Sequence, residues 1–124
     1  MRVLVVDDTA HVRAMLVDML ALDGFDVVGE AADGASAISA ATATDPDVVV
    51  MDLRMPGMDG LEATRQIKAN RPRQEVVLYT AYLDDKIRAA AAEAGARLCL
   101  GKIEGLLELE RELERIRLEG SGGD

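Results

Sequence analysis

Tryptophan is absent from this 124-residue chain, and Phe25, Tyr79 and Tyr82 are its only aromatic residues. So sparse a set leaves no platform on which nucleic-acid bases could stack. Basic residues are also short: 14 Lys and Arg face 23 Asp and Glu, a formal net charge of −9. Direct binding of nucleic acid by this domain is therefore not expected, because phosphate contacts need clustered Lys and Arg. The one cysteine, Cys99, excludes an internal disulfide and a multi-cysteine metal site, and fits a reducing compartment. The opening MRVLVVDD holds four apolar residues in a row before two aspartates, too short for the apolar region of a signal peptide. No apolar run approaches the length of a membrane span, so no membrane association is expected. With 49% apolar residues in a chain of single-domain size, one packed core needs no covalent staples. The expectation is an acidic cytoplasmic domain.

What the chain does have is a strict alternation of short β-branched runs with longer helical patterns, the mark of βα units around a parallel sheet. Val3 to Val6 is apolar throughout, as a strand covered on both faces should be. Val12, Met15, Leu16, Met19 and Leu20 follow at the spacing of one buried helical stripe, which Gly24 is placed to end. A second strand is predicted over Asp26 to Glu30, and an Ala-rich helix from about Ala35 to Ala43, starting near Asp33 or Gly34. Val48 to Met51 forms the third strand. The loop from Asp52 to Gly60 is shaped by Pro56, Gly57 and Gly60. Asp59 and Glu62 have the spacing of a helix start, and that helix runs to about Asn70 ahead of Pro72. Val76 to Tyr79, a helix from Asp84 or Asp85 to Ala94, and a strand from Arg97 to Leu100 come next. A last helix from about Glu104 to Leu118 precedes a tail, residues 119–124, expected to be flexible. Five βα units at this size point to a flavodoxin-like, doubly wound α/β sandwich of three layers with strand order 2-1-3-4-5. Residues 1–118 make up that one domain.

The polar residues that interrupt the apolar pattern fall at strand C-termini. Asp7 and Asp8 follow the first strand, Asp52 the third, Thr80 the fourth and Lys102 the fifth. In an open parallel sheet these ends share the edge where ligands bind. Three converging carboxylates repel one another, so the site needs a cation or raised pKa values. Hard oxygen ligands with few protein contacts suit Mg²⁺, with Mn²⁺ as a substitute. Asp8, Asp52 and the backbone carbonyl of Arg54 are the candidate direct ligands, with Asp7 acting directly or through water. Phosphoryl transfer depends mainly on positioning and charge neutralisation. In such a reaction Asp52 is the candidate nucleophile. The metal, Lys102, and Thr80 with a backbone N–H would each take one phosphoryl oxygen.

VLVVDDT, VVVMDLRMPGMDGLEA, the Thr80–Ala81 pair and Lys102 after a short strand together resemble the response-regulator receiver family, over about residues 2 to 118. The resemblance implies a two-component signalling module that takes its phosphoryl group from a sensor histidine kinase or phosphotransfer protein, with Mg²⁺ required. It implies output through altered contacts with a downstream protein or a fused output domain, and no catalysis beyond its own phosphorylation and dephosphorylation. By position, Asp52 matches the phosphoacceptor, Asp7 and Asp8 the acidic pair, Thr80 the switch hydroxyl and Lys102 the lysine. Two positions depart from the pattern. Cys99 stands where the family usually has Tyr or Phe, and Ile103 stands where it usually has a cis proline. A non-proline cis bond costs about 2.5–4 kcal/mol, so the Lys102–Ile103 peptide is expected to be trans.

Each residue also has a plainer reading. Alone, Asp7 and Asp8 would be a strand-end turn and helix cap, Thr80 a cap, and Lys102 a surface lysine. Arg54 and Tyr82, each two positions beyond a site residue, either flank the phosphoryl group or are solvated loop residues. Cys99 reads as an inert, half-buried strand residue, and His11 as exposed. Leu106, Leu109, Leu113 and Ile116 fit a core-facing stripe better than a coiled coil, since they span fewer than two heptads. Two rival functions come from other classes. A hydrolase acting through an aspartyl phosphate would normally carry a carboxylate two residues after its nucleophile, where this chain has Arg54. A pseudo-receiver, a structural interaction domain that is never phosphorylated, would ordinarily lack part of the acidic set, and none is missing.

Overall fold

A computed structural model describes residues 1–102 and 105–122. Ile103 and its peptide bond to Lys102 lie outside the described residues, as do Glu104, where the last helix was expected to begin, and the last two residues of the expected tail. Five strands, β1 (Arg2–Val6), β2 (Asp26–Ala31), β3 (Val48–Asp52), β4 (Glu75–Thr80) and β5 (Leu98–Gly101), alternate with five helices. The helices are α1 (Ala10–Leu22), α2 (Gly34–Thr44), α3 (Gly60–Asn70), α4 (Asp85–Ala94) and α5 (Gly105–Gly122). The strands are all parallel, in the order β2-β1-β3-β4-β5. This is the flavodoxin-like sandwich expected from the alternation.

Helix starts follow local chemistry. Asp33, Asp59 and Asp84 each accept a hydrogen bond from the backbone N–H three residues on, Ser36, Glu62 and Ile87, at 2.8–2.9 Å. Such caps satisfy amides that the first helical turn leaves unpaired. Gly95 ends α4 at φ +99°, a conformation that costs a side-chain-bearing residue. Helix α5 continues to Gly122, past the Leu118 expected from its apolar pattern.

The central strands β1, β3 and β4 are buried on both faces, and alternate residues feed two cores. Leu4, Val6, Val49, Met51, Leu78 and Cys99 face the helices α2, α3 and α4. Val3, Val5, Val50, Val77, Tyr79 and Leu100 face α1 and α5. Leu109, Leu113 and Ile116 of α5 are buried in this second core, as their spacing suggested. In α1 the expected stripe is narrower. Leu16 and Leu20 are buried and Val12 and Met19 are packed against them, but Met15 is 49% exposed. Met15 lies about 100° round the helix from Leu16, at the margin of the buried arc.

Candidate functional site

Because the strands are parallel and in register, their C-terminal ends bring Asp7, Asp52, Thr80 and Lys102 to one sheet edge. Val6 pairs with Met51, so Asp7 stands one step beyond, beside Asp52, and Asp52 pairs in turn with Tyr79. Pleating puts residues two apart on the same face. Asp7, Asp52 and Tyr79 therefore form a row on the α1–α5 side, following Val5, Val50 and Val77. Asp7 and Thr80 are fully buried and Asp52 is nearly so, while Asp8 is exposed at the mouth. Asp7, Asp8 and Asp52 each offer a carboxylate oxygen within 4.8 Å of the other two.

Hydrogen bonds hold these groups in place. The Lys102 Nζ donates to Asp52 Oδ2 at 3.2 Å and lies 3.5 Å from Asp7 Oδ2. Asp52 Oδ1 accepts the Arg54 backbone N–H at 3.3 Å. Asp7 Oδ1 accepts the Thr9 N–H at 2.8 Å, so the amide at the start of α1 is drawn to the site instead of to a side-chain cap. Thr80 Oγ1 accepts the Tyr82 N–H at 3.4 Å, which leaves the hydroxyl proton as the group it can offer an anion. The Lys102 N–H is bonded to the Thr80 carbonyl at 2.8 Å, tying the end of β5 to the end of β4.

Burial pushes the Asp52 carboxyl above its ordinary range, and the nearby Asp7 charge adds to that rise. The Lys102 hydrogen bond and charge and the Arg54 N–H pull the other way. One ammonium facing three carboxylates leaves an excess of negative charge in a small space, which a divalent cation would neutralise.

The sequence-predicted residues that come together are Asp7, Asp8, Asp52, Lys102 and, through its N–H, Arg54. Thr80 stands at the same edge. Tyr82 does not join them: its side chain is 73% exposed on the loop before α4. Cys99 also lies apart, on the opposite sheet face, and is buried and not half-buried as its position at a short edge strand had suggested. Burial pushes its thiol up, which suits the inert role. His11 is exposed.

Two residues of the site escaped the sequence reading. Tyr79 donates its hydroxyl to Asp7 Oδ2 at 2.7 Å and reaches the Val6 carbonyl at 3.0 Å. Burial, and then its bond to Asp7, push this phenol far above the ordinary tyrosine range, so it remains a donor. The period-two parity of β4 was the signal that would have found it, since Tyr79 shares the face of Val77 and the row of Asp52. Arg13 of α1 donates to the Asp7 backbone carbonyl at 2.5 Å and pairs with Glu30 at 3.2 Å. An arginine at one helical position carries no comparable signal.

Fold and site together define a receiver-like module with an acidic cluster at the C-terminal edge of its sheet. Residues 3–114 match the family model described as the response regulator receiver domain. The chain is 42% identical over 122 residues to the response regulator GacA of Pseudomonas viridiflava, covering 98% of this chain and 56% of that protein. It is 38% identical over 96 residues to the chemotaxis protein CheY of Bacillus subtilis, covering 77% of this chain and 80% of that one. The crystal structure of a two-component response regulator of the LuxR family from an Aurantimonas species superposes with a TM-score of 0.89 at 35% identity. That match covers 93% of this chain and 83% of the other. The chain belongs to the response-regulator receiver family of two-component signalling. It spans about half the length of the GacA proteins it matches, 56% for the Pseudomonas viridiflava protein.

Proposed function

We propose that this domain accepts a phosphoryl group on Asp52 from a sensor histidine kinase or phosphotransfer protein, in a Mg²⁺-dependent reaction, and signals by changing its protein contacts. The observation that carries the reading is the row of buried carboxylates facing one ammonium, with Lys102 3.2 Å from Asp52 and the three aspartates within 4.8 Å of one another. The donor set suits Mg²⁺: all its atoms are hard oxygens, few come from protein, and Asp8 is open to water. Asp8, Asp52 and the Arg54 carbonyl would hold the ion, with Asp7 directly or through water. A bound Mg²⁺ supplies charge neutralisation for the incoming phosphoryl oxygens.

The chain's own groups do the rest. A carboxylate oxygen of Asp52 forms the new P–O bond while the P–N bond to the donor imidazole breaks, the imidazole leaving with the electron pair. Lys102 neutralises one transferring oxygen, and the Thr80 hydroxyl donates to another. Burial of Asp52 keeps its carboxylate poorly solvated and therefore ready to exchange repulsion for a bond. Arg54 and Tyr82, each two positions beyond a site residue, would tune access of water to the acyl phosphate. Output passes to a downstream protein or a fused output domain.

Incubation with Mg²⁺ and acetyl phosphate tests this. Intact-mass spectrometry should show one added phosphoryl group on the wild type, none on Asp52→Asn, and none on the wild type with Mg²⁺ chelated. Equal labelling of both proteins would place the phosphoryl group on a residue other than Asp52, and labelling of neither with the metal present would leave the pseudo-receiver reading in its place.

A further inference from the structure

Tyr79 is a tyrosine at the end of a strand buried on both faces, and its contacts join the groups of the acidic site. Its hydroxyl lies 2.7 Å from Asp7 Oδ2 and 3.0 Å from the Val6 carbonyl oxygen. A phenol carries one proton, so it serves one of these acceptors well at a time. The charged oxygen at the shorter distance holds it, because hydrogen bonds to ionised acceptors are the stronger. The Lys102 ammonium sits 5.2 Å from the centroid of the same ring and 3.5 Å from the same Asp7 oxygen. Hydroxyl and ammonium therefore share Asp7 Oδ2, while Thr9 occupies Oδ1.

We propose that Tyr79 is a positioning residue for the metal and acceptor site. Its hydroxyl fixes Asp7 and its ring seats Lys102, and its one proton turns from Asp7 to the Val6 carbonyl when a divalent cation engages the Asp7 carboxylate. The proposal rests on the Mg²⁺-dependent reading above.

The hydroxyl has two effects on the site. Asp7 is fully buried, and a neutral donor on Oδ2 partly satisfies its charge without adding a second cation. That leaves Lys102 nearer to Asp52, at 3.2 Å, than to Asp7, at 3.5 Å. Without the hydroxyl, Asp7 would have Lys102 alone at Oδ2 and would draw the ammonium away from the acceptor. The Val6 carbonyl gives the proton a second resting place, so a cation can take Asp7 without stranding a buried donor. Outer groups that orient a metal ligand typically change affinity by roughly 10–100-fold when removed.

The experiment compares wild type and Tyr79→Phe, which keeps the ring under Lys102 and removes only the hydroxyl. Calorimetric Mg²⁺ titration should show about tenfold weaker binding for the variant. Equal or tighter binding would overturn the proposal. A second measurement does not depend on the variant's folding. The chain has two tyrosines, so a Tyr82→Phe background leaves Tyr79 as the one phenol. Its C–O stretching band in Raman or difference infrared spectra should shift when Mg²⁺ is added, as the acceptor changes from carboxylate to carbonyl. An unmoved band in a sample that binds Mg²⁺ by calorimetry would overturn the switch of the hydroxyl's hydrogen bond from Asp7 to the Val6 carbonyl. A wild type that binds no Mg²⁺ at all would instead overturn the metal-dependent reading, a result distinct from the other two.

Discussion

Asp52 illustrates how function and stability oppose each other in a single side chain. Burial is the chief cause that raises its carboxyl pKa above the ordinary aspartate range, so the folded protein holds this proton more tightly than the unfolded chain does. The stability linked to that shift is fully present below the unfolded value and is lost as pH rises through the folded one. At neutral pH, without metal, ionised Asp52 therefore destabilises the fold. Asp52→Asn should melt higher than wild type in chelator at pH 7, each 1 kcal/mol reading as roughly 4 °C for a chain of this size. The gap should shrink towards pH 4 and narrow again at neutral pH on adding Mg²⁺, which stabilises only the protein that binds it. Paired thermal melts across that range check the sign; a gap that widens on acidification would contradict it.

At the scale of elements, the turn from β3 into α3 sets where Asp52 stands, and Gly60, the first residue of α3, is packed tightly against it. A Cβ added there would meet the Asp52 carbonyl oxygen at 2.5 Å and the Leu53 Cα at 2.9 Å, both backbone atoms that cannot rotate aside. The Gly60 N–H also donates to the Leu53 carbonyl at 2.7 Å, locking the helix start against the strand end. Gly60→Ala should lower stability in urea unfolding by about 1–3 kcal/mol, the usual cost of overpacking. It should also slow acetyl-phosphate labelling, because the forced shift falls on Asp52, the proposed acceptor. A variant as stable as wild type would show that the loop yields more easily than its contacts imply. The element pattern was legible in the sequence because hydrophobic period, Asp caps and glycine stops all act locally. Helix α5 runs past its expected end, where Arg97, just ahead of β5, reaches Glu119 beyond Leu118 at 2.9 Å, a contact that no local pattern records. Asp7, Asp8, Asp52, Thr80 and Lys102 could be placed because each ends or closely follows a strand and the topology gathers strand ends. The period of β4 could have put Tyr79 on the right face, but its bond to Asp7 also depends on the register of β1, β3 and β4, which no local pattern records.

In the proposed reading, the whole molecule has to carry an event at the sheet edge to a surface that a partner can read, and Thr80 is where that path would start. Its Oγ1 holds the Tyr82 N–H at 3.4 Å, so a Thr80 drawn towards a phosphoryl group takes the loop before α4 with it. That loop borders a groove of about 330 Å³ lined by Ala81, Leu83, Arg88, Leu98, Cys99 and Glu108, between α4, β5 and α5. Cys99, buried and small, cannot fill the groove as a mobile aromatic would, and its thiol bonds weakly. Tyr82, 73% exposed and two residues beyond Thr80, has the bulk and the freedom to do so. A modification shifts an equilibrium only by its differential interaction with the two states. The moving aromatic is therefore the part whose loss should disconnect acceptor from surface. Amide exchange or NMR with and without a stable phosphoryl mimic should show changes through the loop after Thr80 and α4 in wild type and in Cys99→Ala. In Tyr82→Ala the changes should stay confined to the residues around Asp52. Lys102, bonded to Thr80 through its amide at 2.8 Å and to Asp52 through its ammonium, should respond in all three proteins. A response abolished by Cys99→Ala and kept by Tyr82→Ala would place the coupling on β5, and the Tyr82 route would be wrong.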